Sequence, residues 1–357
     1  MRRAPPEEQH RELKAILQGH LGVHGARADF IARFVLTLIS QLTLCLAHLA
    51  RNLKPEVASK TNEQRICRFL SFDLDQKVIA RLVLRMIPQE QWVISIDRTE
   101  HRFGKKAVNL LVLAVCWQGM AIPLLWVNLD KKGCSSADER IALINDLLEL
   151  LTPEQIVCIV ADREFACERW LAHLKLCKLP FALRCKFDAL VEYRGYTRGA
   201  GWFLRHAGLR QVVHHSKVQI YNNSLNFVAL NLDLKGEMLI LLTNLQPDMA
   251  LEYYKQRWQI ETLFSAFKTR GFNFEDTHLT QPERVERLVG LMVITMLWVR
   301  LVGQWLAEIH PIPIKQFKNR SPQPLYTFFA YGLQSLQPLI RFGYSKFLDW
   351  DSAIRLL

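Results

Sequence analysis

Residues 107–129 carry no charged side chain, a run nominally long enough to cross a bilayer, and whether it is one span or two buried strands decides the class of protein this chain can be. Asn109, the Gln118-Gly119 pair and Pro123 interrupt it. Two apolar stretches, AVNLLVLAVCW and MAIPLLWVNL, on either side of Gln-Gly predict buried antiparallel strands around a turn. A second apolar run, 288–299, stops at Arg300 and is short for a span, so it too is predicted to be core. No membrane is expected as a partner. With 50% hydrophobic residues over 357 positions, the chain has core enough for two or three domains.

The periodicity changes along the chain. From about 11 to 90, Phe30, Ile31, Phe34, Leu38 and Leu42 recur at helical spacing. Thr61 to Gln64 reads as a capping box opening a helix with Ile66, Phe69 and Leu70 inside and Arg65 and Arg68 on the polar side. Such a segment can enter a DNA groove, or the arginines can simply solvate a helix face. From about 91 come short apolar runs: WVISID (92–97), the hairpin, QIVCIVAD (155–162) and PFALRC. The stretches 137–151 and 164–177 between them have helical periodicity. Strands in a meander and then alternating with helices predict an α/β fold, a mixed sheet with helices on its faces. The expected organisation is a helical N-terminal region at 1–90, a first core segment at 91–185, a β-rich insertion at 186–245, a core helix within 246–280 and a helical C-terminal region at 281–357.

Forty-six Lys and Arg against 34 Asp and Glu give a formal charge of +12, which favours a polyanionic partner, nucleic acid first. The basic clusters (Arg2-Arg3, Lys105-Lys106, Lys131-Lys132, Lys315 to Arg320) are spread out rather than gathered in one polybasic tail. Eight cysteines without a C-x-x-C pair suggest neither a zinc site nor a disulfide framework, and are expected as buried thiols in a reducing compartment. The opening Met-Arg-Arg-Ala-Pro-Pro-Glu-Glu lacks the apolar core of an export signal, so a cytoplasmic location is expected.

Asp97 and Asp162 each close an apolar strand and are each followed by Arg. Side chains at the carboxyl ends of strands escape the core, which is where open α/β sheets build ligand sites. Either could equally be a turn or cap residue. On the helix expected at 247–269, Tyr254, Arg257, Glu261 and Lys268 share one face. Arg257 and Glu261 could be an exposed ion pair worth roughly 0.3–0.5 kcal/mol, or a catalytic acid beside a phosphate-binding cation. Three carboxylates are hard oxygen ligands, which suit Mg²⁺ or Mn²⁺ rather than zinc. Two such ions would activate an attacking water or 3′-hydroxyl and stabilise the departing oxygen.

WVISIDRTEHRFG (92–104), KKGCSS (131–136), VADREF (160–165) and YKQRWQIETLFSAFKTRGFNFEDTH (254–278) together resemble the insertion-sequence transposases of the group related to the element called insertion sequence four. The last block holds that group's Tyr-x2-Arg-x3-Glu-x6-Lys signature without deviation. The resemblance implies a ribonuclease H-like core, with Asp97, Asp162 and Glu261 as catalytic, metal-holding residues for two Mg²⁺ ions that Mn²⁺ can replace. It implies that Tyr254, Arg257 and Lys268 contact DNA at the terminal inverted repeats, and that a homodimer cuts the element out and joins its 3′-ends to target DNA in a bacterial nucleoid. It also implies a β-strand insertion between the second Asp and the Glu, where the β-rich stretch lies. Trp202 within it is a candidate to stack on a flipped base, or to pack in a small core. The competing expectations are a copy that binds DNA without cutting it, and a nuclease that hydrolyses without joining.

Overall fold

The computed structural model describes residues 6–103, 106–129, 131–232, 238–268, 271–317 and 320–357. The basic residues Arg2, Arg3, Lys105 and Lys318, and the N-terminal Met1 to Pro5, lie outside these. By contacts, the chain divides into two compact units. One comprises 1–88, 100–109 and 263–357, and the other 89–99 and 110–262.

The first unit is helical. It opens with α1 (Pro6–Leu21), α2 (Gly25–Gln41), α3 (Leu46–Leu53), α4 (Ser59–Phe69) and α5 (Gln76–Met86). The apolar stripe of α2 is buried at Ile31, Phe34, Val35 and Leu38, as its spacing predicts. α4 begins at Ser59 with Ala58 as its cap residue and no side-chain cap, so Thr61 to Gln64 lie inside the helix and form no capping box.

The second unit is built on one ten-stranded mixed sheet of order β3-β2-β1-β4-β5-β10-β9-β8-β6-β7. The sheet's first three strands are β1 (Trp92–Phe103), β2 (Lys106–Trp117) and β3 (Met120–Leu129), a meander in which the uncharged run forms the hairpin; residues 100–109 of β1 and β2 are counted with the first unit. Gln118 and Gly119, both at positive φ, make its turn. After α6 (Ala137–Leu148), β4 (Ile156–Ala161) runs parallel to β1, and after α7 (Glu168–Leu176), β5 (Phe181–Arg184) runs parallel to β4. Then come β6 (Leu190–Tyr193), β7 (Tyr196–Gly199), β8 (Val212–Ile220), β9 (Asn223–Asn231) and β10 (Met238–Thr243). β10 pairs antiparallel with both β5 and β9, so the β-rich stretch continues the core sheet.

β1 does not end at Asp97, as the apolar run suggested, but continues through Arg98-Thr99-Glu100 to Phe103. Pairing with β2 carries a polar segment that periodicity alone would not assign to a strand. The expected single helix at 247–269 is two, α8 (Pro247–Lys255) and α9 (Gln259–Phe267), joined by a 3-10 turn at Gln256–Trp258, and Thr269 lies outside the described residues.

The last elements, α10 (Pro282–Ile309), the hairpin β11 (Ile314–Phe317) and β12 (Arg320–Pro324), α11 (Phe328–Phe342) and α12 (Trp350–Ile354), belong to the first unit. Residues 288–299 are buried within α10. α10 and α11 approach closely at Gly303 and Gly332, where an added Cβ would strike the backbone of Phe328 or Val299. The β11–β12 hairpin was not expected, because its strands show no apolar alternation. Among the described residues no single helix is long and apolar enough to cross a membrane. All eight cysteines are free. Cys116, Cys158 and Cys185 are buried as expected, whereas Cys134 is exposed.

Candidate active site

Strand alternation aims the two aspartates. Val93 on β1 and Cys158 and Val160 on β4 pack against Ala250 and Tyr254 of α8. Successive even steps along each strand return to the same face, so the rows Val93-Ser95-Asp97 and Cys158-Val160-Asp162 both point to the α8 side. The parallel ladder ends with Ile96 opposite Ala161, which brings Asp97 and Asp162 out of it at the same level.

α8 covers this face, and the 3-10 turn brings Arg257 to Asp97, while the first turn of α9 brings Glu261 to Arg257. Arg257 Nη1 lies 3.5 Å from Asp97 Oδ2, and Nη2 donates to Glu261 Oε1 at 2.7 Å. Asp97 Oδ1 accepts from the Arg98 amide at 2.8 Å. Burial pushes the Asp97 carboxyl up to about 6. The Arg98 amide and Arg257 oppose this, and the negative charges of Glu164 and Asp162 add to it. Asp162 has Arg184 Nη1 at 3.9 Å, and its Oδ1 is buried without a hydrogen bond.

Two arginines brace the surrounding loops. Arg98 clamps Glu164 through Nε at 2.9 Å and Nη2 at 3.0 Å, so that carboxylate is already committed. Buried Arg140 donates to Ser135 Oγ at 2.8 Å and to the Phe165 carbonyl at 3.1 Å, tying the KKGCSS segment to the loop after Asp162. Ser136 and Glu139 form a capping box at the start of α6.

Of the other expected residues, Tyr254 lies beside Arg257 and the rest are dispersed. Tyr254 is buried, its ring is part of the apolar cluster under α8, and burial pushes its hydroxyl up to about 12. Lys268 follows α9, half-buried, in the helical unit. Arg65 and Arg68 are exposed and line a cavity of about 630 Å³ with Lys14, Arg27, Arg33 and Lys54, against one carboxylate, Asp29. Its apolar lining includes Phe30 and Phe69, stacked at 4.3 Å, and Phe72 under the Arg27 guanidinium at 3.2 Å. Trp202 is 40% exposed, with the Arg205 guanidinium over its ring at 3.2 Å, so a cation already stacks on one face.

Sequence reasoning missed Arg184, Arg140 and the convergence of Arg27 and Arg33 on that cavity. Only Arg184 had a local signal, since it closes the strand beside the one that leads to Asp162.

The donor set suits a hard divalent cation. It consists of carboxylate oxygens only, one of them buried without a hydrogen bond, and burial disfavours the negative charge of Asp97 until a cation compensates it. Among the described residues, however, no three such side chains stand close enough together to hold an ion, and Glu261 faces Arg257.

A mixed sheet of this order, flanked by helices and carrying acidic residues where adjacent parallel strands part, is the ribonuclease H-like fold. Residues 88–298 match the family described as transposase DDE domain, and the chain belongs to that family. It is a transposase acting on DNA, of a class that generally uses divalent metals such as Mg²⁺. No curated protein matches the chain.

Proposed function

We propose that the protein is a cut-and-paste transposase of the insertion-sequence-four type. In this reading Asp97, Asp162 and Glu261 hold two Mg²⁺ ions, or Mn²⁺ in their place. When bound, the metal supplies an activated water or 3′-hydroxyl and charge for the leaving oxygen. Asp97 and Asp162 offer oxygens at one level of the sheet, and Arg257 is a planar fork suited to a phosphate. Lys268 adds a point charge, and buried Tyr254 positions Arg257 from the core, its ring 5.9 Å from the guanidinium. Arg65 and Arg68 in the basic cavity serve end binding with the helical 1–90 region, and the partly exposed Trp202 in the 186–245 stretch stacks on a base. The substrate is the duplex at the element's terminal inverted repeats. Two ends are brought together by a homodimer in the bacterial nucleoid, and the 3′-ends are joined to target DNA.

The observation that carries this reading is the shared register at which Asp97 and Asp162 leave the parallel ladder, with Arg257 linking Asp97 to Glu261. The test is joining of a labelled, pre-cut 3′-end of the element to a plasmid with Mg²⁺. The expected result is plasmid-linked label from wild type and none from Asp162→Ala. Hydrolysis without joining would make the protein a nuclease. Specific binding with neither activity, with Mn²⁺ also tried, would make it a silent DNA-binding derivative.

A further inference from the structure

We propose that Arg257 acts as a gate on the metal site, occupying the place of the cation's charge until DNA draws it away, so that metal and DNA bind cooperatively. This rests on the reading of Asp97 and Glu261 as metal-holding residues. One guanidinium serves both carboxylates, Nη2 at 2.7 Å from Glu261 and Nη1 at 3.5 Å from Asp97. Its side chain is 12% exposed, against 19% for Asp97 and 35% for Glu261. Arginine keeps its charge even when buried, so it cannot vacate the site by losing a proton. It has to move. A divalent ion and this guanidinium compete for the same oxygens and the same compensation of charge.

The backbone provides for the movement. Arg257 sits in the 3-10 turn between α8 and α9, while Glu261 is in the first turn of α9 itself. A stretch of 3-10 geometry within an otherwise α-helical path has poorer hydrogen-bond geometry and often marks a hinge. A DNA phosphate offers the guanidinium an alternative two-pronged anion partner. Once Arg257 turns to it, Glu261 and Asp97 lose their contacts to that guanidinium, and the negative field that a divalent ion answers grows there. Linkage then requires that metal tighten DNA binding by the same factor as DNA tightens metal binding. The consequence is an enzyme that assembles its metal site on its substrate.

The test is Mn²⁺ binding by the full-length protein, read as loss of the free-ion paramagnetic signal, with no catalysis involved. Wild type, Arg257→Ala and Arg257→Gln would be titrated alone and with a short duplex, after subtracting Mn²⁺ bound by the duplex itself. The duplex should tighten Mn²⁺ binding to wild type by about tenfold, within the usual span of such couplings. Both variants should bind Mn²⁺ about tenfold tighter than wild type without DNA, and the duplex should add little. Folded variants that bind Mn²⁺ no more tightly than wild type would overturn the gate. Glu261→Gln separates the two failures. If it weakens Mn²⁺ binding while the Arg257 variants match wild type, the gate alone is wrong. If Glu261→Gln changes nothing, the metal-site reading itself falls.

Discussion

The acidic site of β1, β4 and α9 and the basic cavity lined by α1, α2, α3 and α4 both concentrate charge, but they treat it in opposite ways. In the first, Asp97, Asp162, Glu164 and Glu261 are partly buried and each has an arginine within 4.0 Å. In the second, cations outnumber the single carboxylate Asp29, and Arg65 and Arg68 are exposed. Burial makes each charge depend on a particular partner, so removing one group leaves another uncompensated. Exposure lets solvent and salt screen the charges, so they act together on a long polyanion and each is replaceable. The first arrangement suits chemistry at one point, and the second suits attraction to a strand.

If this contrast is right, the largest effect belongs to the acidic site. Asp162→Ala should lower strand cleavage by more than about a thousandfold, the scale of lost transition-state charge stabilisation, with end binding retained in a gel-shift assay. Comparable cleavage by the variant would remove the distinction between the two regions.

A second effect concerns pH. Asp97 holds its proton up to about pH 6 when folded, against an ordinary value of 3.8. Between these values the folded state binds more protons than the unfolded one, so Asp97 makes stability fall as pH rises from about 4 to 6. In metal-free protein Asp97→Asn should remove that slope and gain on the order of 2 kcal/mol at pH 7 relative to pH 4, measured by urea unfolding at both pH values. Parallel curves for the two proteins would contradict it.

In the basic cavity the expected changes are smaller and collective. Arg65→Ala with Arg68→Ala should weaken DNA binding by about tenfold and reduce the salt slope by about two, with cleavage of bound DNA unaltered. The weakest case is the exposed pair Arg169–Asp138. Asp138→Ala should leave Tm unchanged by calorimetry, because solvent already screens the pair.

Much of this contrast was legible along the chain, for reasons that differ by region. The 107–129 hairpin, α2, α6 and β4 follow from periodicity, because each buries one face or both. The acidic positions were legible because apolar strands lead into both aspartates and the signature fixes the spacing to Glu261. The 3-10 turn at Gln256–Trp258 was not, since no Gly or Pro marks it. Nor was the extension of β1 beyond Asp97, where pairing with β2 overrides a polar sequence. The burial of Tyr254 depends on residues of six strands, and the cavity around Arg65 on four helices and the α3–α4 link, so neither leaves a local trace.

In the proposed reading these carboxylates form a metal-dependent site for cutting DNA. Its most direct test is cleavage of a labelled duplex bearing the element's own inverted repeat, with Mg²⁺, by wild type beside Glu261→Gln. The expected result is nicking at the repeat boundary by wild type alone, abolished by chelation. Equal nicking by both proteins, or nicking that survives removal of the metal, would contradict it.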